Sequence, residues 1–233
     1  MKAIITGATK GIGKAIATLF LEKGVDIAIN SRSQSDLEAV KSTFEQQFPD
    51  RQILIKATDV SQKADVNAFG EFVKSHWSTI DILINNAGLY VAGLIHEEDD
   101  EVLENQIATN LYSAVRLTKN ILPIMLPQKS GTIINISSIA GIMSYPNSGS
   151  YSVSKFALQG FSKVLRDELK DKGIRVVSVL PGATWSNAWS GVELPKERLM
   201  QANDIALTVW NAIQLSHSAV IEEIILRPQL GDL

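Results

Sequence analysis

Tyr151 and Lys155 stand four apart in the run YSVSK, downstream of Ser138 in NISS and, further back, of Asn110. A helix turns once in about 3.6 residues, so side chains four apart share a face and their heads can meet at one reacting group. A free tyrosine has a pKa of ~10, too high to trade protons readily at neutral pH. A lysine ammonium a few ångströms away favours the phenolate and lowers that value, which makes Tyr151 a proton donor in one direction and an acceptor in the other. Ser138, at the C-terminal end of a predicted strand, is positioned to hold an oxygen on which charge develops. Asn110, in the middle of a predicted helix where amides are poor formers, is positioned to hold a water linking Lys155 to solvent. Each residue alone reads equally well as packing, a strand-end turn or a surface amide. Their joint order favours the chemistry.

The elements that must position these groups follow from periodicity. Apolar, β-branched runs at 2–6, 25–30, 53–57, 80–85, 131–136, 174–180 and 221–226 predict strands; amphipathic stretches at 12–23, 35–47, 62–77, 101–126, 150–171 and 203–215 predict helices. Strand runs with little alternation suit a parallel sheet covered on both faces. The pattern predicts an α/β, Rossmann-like, doubly wound sheet of seven parallel strands, in one domain over residues 1–233. Asn135 heads a glycosylation-like Asn-Ile-Ser, which a buried strand rules out as an acceptor.

Gly7, Gly11 and Gly13 follow the first strand and open the first helix, where missing side chains let backbone N–H groups approach a pyrophosphate. The second strand ends in Asn30-Ser31-Arg32 rather than in the acidic residue that would bond a ribose 2′-hydroxyl. Arg32 offers a planar fork for a phosphate, Ser31 a hydroxyl, and Lys10 a second cation facing the same pocket. These residues favour NADPH over NADH. The positive nicotinamide of the oxidised cofactor is then a second influence lowering the Tyr151 pKa.

A net charge of -3 provides no basic field for nucleic acid or anionic lipid. There is no cysteine, which removes disulfides and thiolate chemistry, and His76, His96 and His217 are scattered without metal-ligand spacing. No catalytic metal is expected. The first strand starts at residue 2, and no apolar run nears the ~20 residues of a membrane span, so a cytoplasmic protein without a leader is expected. The acidic stretch His96–Glu101 reads as a solvated helix start.

The ordered motifs resemble those of the short-chain dehydrogenase/reductase family over essentially the whole chain: Thr6 to Gly13 in TGxxxGIG, Asp59-Val60, NNAG at 85–88, Asn110, Ser138, YxxxK at 151–155 and Pro181-Gly182. Similarity to NADP-preferring members of the 3-oxoacyl-[acyl-carrier-protein] reductase type is visible in these motifs. The resemblance implies that Thr9, Lys10, Ile12 and the loop glycines face the cofactor, that Asp59 and Val60 contact adenine, and that Asn86, Ala87 and Gly88 line the dinucleotide. It implies that Lys155 also bonds the nicotinamide ribose and that backbone around Pro181, Gly182 and Thr184 meets the nicotinamide amide. It further implies a homodimer or homotetramer built on helices 101–126 and 150–171. Two departures stand out: Ser186 where Thr is common after the Pro-Gly pair, and an ending IILRPQLGDL unlike that of acyl-carrier-protein reductases.

The segment 183–198 is expected to form a substrate lid carrying Trp185 and Trp189. With Leu89, Tyr90, Met143 and Tyr145 it would make an apolar, aromatic pocket, although lid-to-core packing is an equal reading. No cluster of Arg or Lys in the sequence marks a carboxylate or phosphate site. The expected activity is hydride transfer between NADPH and a carbonyl or secondary alcohol; the alternative is a non-catalytic NADP(H)-binding sensor or scaffold of the same fold.

Overall fold

The computed structural model describes residues 1–186, 191 and 193–232. Seven parallel strands form one sheet in the order β3-β2-β1-β4-β5-β6-β7. They are β1 (Lys2–Ile5), β2 (Asp26–Ser31), β3 (Ile53–Ala57), β4 (Ile82–Asn85), β5 (Gly131–Ile136), β6 (Ile174–Pro181) and β7 (Glu223–Leu226). Between them run α1 (Gly11–Glu22), α2 (Gln34–Gln47), α3 (Lys63–His76), α4 (Asp100–Ile107), α5 (Ser113–Gln128), α6 (Gly149–Leu169) and α7 (Ala202–Ile213).

Successive strand residues serve opposite cores because side chains alternate across a sheet. Ile5, Ile27, Ile29, Ile84 and Val179 meet α1, α2 and α7 through Ile16, Phe20, Leu37 and Val209. Ile4, Ala28, Leu83, Ile133 and Val176 meet α3, α5 and α6 through Phe69, Val73, Leu117 and Leu165. Both faces are dry, so the strands lack a polar side, and each fully buried Ile or Leu contributes about 1.5–3 kcal/mol.

The order in which strands are added reverses between β1 and β4: the chain leaves β1 for α1 on one face and β4 for α4 and α5 on the other. That divergence opens a crevice at the C-terminal strand ends. One expectation is corrected here. The helix predicted over 101–126 is not regular: a π-helical turn (Ala108–Tyr112) separates α4 from α5. Among the described residues no helix is long and apolar enough to cross a membrane.

Candidate active site

One wall of the crevice is knitted through Thr6. Its hydroxyl accepts from the backbone N–H of Asn86 and of Ala87, each at 2.9 Å, while Asn86 Nδ2 donates to Thr6 O at 2.8 Å and Gly7 O at 3.1 Å. Gly7 takes a positive φ of 65°, open to glycine at little cost, and donates its N–H to Asn30 Oδ1 at 3.0 Å. A Cβ at Gly13 would stand 2.4 Å from both Asn86 Nδ2 and Gly7 O. Packing therefore demands glycine there, and α1 is drawn tight against the loop. The side chain of Lys10 makes no cap at the start of α1, which leaves first-turn N–H groups there for a ligand. Thr9 is buried and Ile12 packs on the core below. This cradle fits a dinucleotide pyrophosphate.

At the end of β2, Asn30 is buried as the prop of Gly7, and Ser31 Oγ accepts from Ser33 N at 3.2 Å. Arg32 is exposed and forms no ion pair among the described residues. Lys10 departs from expectation: it is bonded to Asp36 at 2.8 Å, and that pairing holds the Asp36 carboxyl below its ordinary range. Of these two cations, Arg32 alone is unengaged among the described residues. Asp59 is engaged in a local turn, accepting from Ser61 N at 3.0 Å and Ser61 Oγ at 2.7 Å, and Val60 packs on the core.

Beyond β6, Gly182 N donates to Leu226 O at 2.7 Å, and Thr184 Oγ1 to Gly182 O at 3.0 Å. Ser186 lies 3.9 Å from where a Cβ of Gly11 would stand, so this loop reaches across to the glycine turn. Trp189 of the expected lid lies outside the described residues.

The four proposed reacting groups converge on the other wall. Lys155, 4% exposed, donates Nζ to Ile136 O at 3.0 Å and stands 5.7 Å from the centroid of the Tyr151 ring. A Cβ at Gly88 would sit 3.3 Å from Asn110 Oδ1 and 3.7 Å from Lys155 Nζ, so the NNAG backbone runs between the two. Ser138 stands beside the Tyr151 hydroxyl, and its own Oγ accepts from Ala140 N at 3.1 Å. A hydroxyl keeps its one hydrogen whatever it accepts, so Ser138 can offer it to the Tyr151 oxygen or to an incoming oxygen.

Electrostatics correct the sequence reading of Tyr151. Burial holds the phenol above its ordinary value, the Ser138 hydroxyl opposes this, and Tyr90 adds a smaller upward push. Desolvation takes Lys155 down from 10.5 to about 8, and its ammonium is turned toward Ile136 O. The pair as it stands holds a neutral phenol, the form a proton donor needs.

The model of the short chain dehydrogenase family matches residues 1–195. The chain belongs to that family. A sepiapterin reductase of Chlorobaculum tepidum is 32% identical over 238 residues, spanning 99% of this chain and 97% of that protein. Among solved structures, an alcohol dehydrogenase of the archaeon Thermococcus sibiricus complexed with 5-hydroxy-NADP superposes with a TM-score of 0.91 at 27% identity, covering 98% of this chain and 96% of that one. L-sorbose reductase of Gluconobacter frateurii, complexed with NADPH and L-sorbose, superposes at 0.90 with 27% identity, covering 97% and 95%.

In this short-chain dehydrogenase the side chain of Asn110 is a clasp. Its Oδ1 accepts from Leu89 N at 2.7 Å, and its Nδ2 donates to Leu89 O at 2.9 Å and to Ser154 Oγ at 2.8 Å. The expected water-holding amide is thereby already engaged, from within the π-helical turn, in fixing the loop after β4. Gln106, one turn earlier and fully buried, was not anticipated. With its amide oriented to satisfy both ends, it donates to Leu89 O at 3.1 Å and accepts from Tyr151 N at 3.3 Å. It thus caps an open donor at the start of α6, next to the proposed proton donor. Beneath the site, Asn85 Nδ2 bonds Asn135 Oδ1 and Asn135 Nδ2 bonds Ser162 Oγ, both at 2.8 Å. Asn135 is a buried link between strands and α6, as its exclusion as a glycan acceptor required. The periodicity shared by Gln106 and Asn110 was the one sequence signal pointing to the clasp.

Of the expected pocket residues, Tyr90 stacks edge-on to Tyr151 with centroids 5.0 Å apart, and Met143 is exposed. Leu89, Tyr145 and Trp185 are half-buried.

Proposed function

We propose that this family member is an NADPH-dependent reductase of carbonyl compounds, running as an alcohol dehydrogenase in reverse. The observation that carries the reading is the convergence of Ser138, a neutral and desolvated Tyr151, and the buried Lys155 beside Gly88 at the mouth of the dinucleotide cradle. The bound nicotinamide would supply the hydride. Ser138 donates to the carbonyl oxygen and stabilises its charge as the carbon is reduced. Tyr151 transfers its proton to that oxygen, completing the alcohol, and its phenolate is left beside the Lys155 ammonium. Lys155 additionally bonds the nicotinamide ribose, while Asn110 and Gln106 hold the Leu89 loop and the start of α6 in place. Gly7, Thr9, Gly11, Ile12, Gly13, Asn86, Ala87, Pro181, Gly182 and Thr184 line the dinucleotide, with Asp59 and Val60 at the adenine. Ala183 to Ser186, the described start of the expected lid, border the cradle within a single domain.

NADPH is the cofactor in this reading because Arg32 is unengaged where a 2′-phosphate would lie, and the two NADP-complexed neighbours support it. Arg32→Asp is expected to invert the preference for NADPH over NADH, because it replaces a phosphate donor by a repelling charge. Asp36→Asn, which releases Lys10, is expected to strengthen the preference a few-fold, about what an exposed ion pair commands. Fluorescence titration of both cofactors checks this; equal wild-type affinities contradict it. Tyr112, Val153, Phe156 and Val164, all exposed apolar residues on or beside α5 and α6, support a homo-oligomer built on that face.

A panel of ketones, aldehydes and β-ketoacyl thioesters, assayed with NADPH and NADH, tests the activity. Cofactor-dependent turnover of at least one member is expected. NADPH binding without any turnover would favour the sensor or scaffold instead, which the retention of Ser138, Tyr151 and Lys155 argues against.

A further inference from the structure

The segment after β7, residues 227–232, pairs with no strand and has no part in the chemistry above, yet it folds back onto the crevice. Arg198 holds its backbone, donating Nη1 to Gly231 O at 2.7 Å and Nη2 to Asp232 O at 3.0 Å. The Asp232 side chain is only 5% exposed. Its Oδ2 accepts from Arg227 Nε at 2.5 Å and its Oδ1 from Ala183 N at 3.2 Å, with the Tyr145 hydroxyl beside the same carboxylate. A Cβ at Gly182 would stand 2.3 Å from Asp232 Oδ1, so the carboxylate fills the space a side chain there would take. Glycine in the Pro-Gly pair is thus required by Asp232.

Two walls of the crevice meet on this one group. Ala183 belongs to the loop that reaches over to Gly11. Tyr145 lies on the connection between Ser138 and Tyr151. Burying a carboxylate is costly unless it is paired and fully bonded, and a charged acceptor for a backbone N–H is among the stronger hydrogen bonds. The sheet does not need it, since the loop after β6 is already pinned through Gly182 N to Leu226 O. The two arginines, distant in sequence and brought together here, are engaged with this segment rather than open to an anionic substrate. The Tyr145 phenol is raised first by burial and then by the Asp232 charge, which keeps it protonated.

We propose that Asp232 is a positioning residue of the active site, whose carboxylate sets the loop after β6 against the cofactor and Tyr145 against the substrate. The proposal rests on the reductase reading. Its test compares wild type with Asp232→Ala, Asp232→Asn and Tyr145→Phe, measuring NADPH affinity by fluorescence, KM and kcat on the best panel substrate, and melting by circular dichroism. Asp232→Ala should weaken NADPH about tenfold and raise KM, losing both arms at once. Asp232→Asn, which keeps an acceptor for Ala183 N, should recover most of the cofactor affinity. Tyr145→Phe should raise KM with cofactor affinity unchanged. A lowered melting temperature with NADPH affinity and KM within about twofold of wild type would show a brace for the terminal segment and nothing more. Should Asp232→Ala not fold, an unchanged KM in Tyr145→Phe together with wild-type cofactor affinity in Asp232→Asn overturns the proposal. Wild type that neither binds NADPH nor turns over the panel removes the reductase reading and this proposal with it, whereas active wild type with unaffected variants removes this proposal alone.

Discussion

Tyr151→Phe is expected to lower turnover by at least ~100-fold, and up to ~10,000-fold, while leaving folding and NADPH affinity near wild type. The range is that of general acid catalysis. The substitution deletes only the hydroxyl beside Ser138, and the ring that Tyr90 stacks upon remains. Tyr90 lies edge-on to the ring with its hydroxyl toward Asn147 O, and the chain has no cysteine. Retention of more than about a tenth of wild-type activity on the best substrate would remove Tyr151 from the acid's role.

Lys155→Met makes the sharper comparison, because the lysine has two tasks. Losing its bonds to the cofactor ribose should weaken NADPH about tenfold or more. Losing the ammonium should suppress alcohol oxidation at neutral pH, where Tyr151 must act as a phenolate although burial holds it protonated. Oxidation should return in part at high pH, as the phenol ionises unaided, and Tyr151→Phe should show no such recovery. Reduction, which uses the neutral phenol, should change less with pH than oxidation in the wild type. Stability gives an independent check. The folded value of Lys155, about 8 against 10.5 for free lysine, is depressed. Its contribution is therefore present above the unfolded value and lost as pH falls through about 8. The Met variant escapes that loss and should melt no lower than wild type at neutral pH. Profiles taken at saturating cofactor separate the binding effect from proton transfer; wild-type affinity and a wild-type profile would make Lys155 a packing residue.

The parallel sheet was legible because each strand is an apolar, β-branched run with turn residues at its ends, and burial on both faces leaves no other reading of such runs. The glycine cradle and the Ser138, Tyr151, Lys155 order were legible because local spacing alone carries them. What escaped depends on contacts between distant segments. The π-helical turn at Ala108–Tyr112 leaves no trace in a helical period, since it arises where Asn110 reaches Leu89. Lys10 read as a free cation because its partner, Asp36, lies on another helix. The direction of the Tyr151 shift was misjudged because residue types convey a nearby charge but not the depth of burial or the carbonyl of Ile136 that receives the ammonium. The role of Asp232 was invisible for the same reason: its neighbours Tyr145, Ala183 and Arg198 come from two connections far from it in sequence.

The central claim is that hydride passes from NADPH to a carbonyl carbon in this crevice. It is tested most directly by supplying NADPH deuterated at its transferable position together with the best ketone or aldehyde of the panel, and analysing the alcohol by mass spectrometry. The account predicts that the deuterium appears on the carbinol carbon of the product, at a rate that collapses in Tyr151→Phe. An alcohol formed without the label, or cofactor that keeps its deuterium while substrate is consumed, would contradict it.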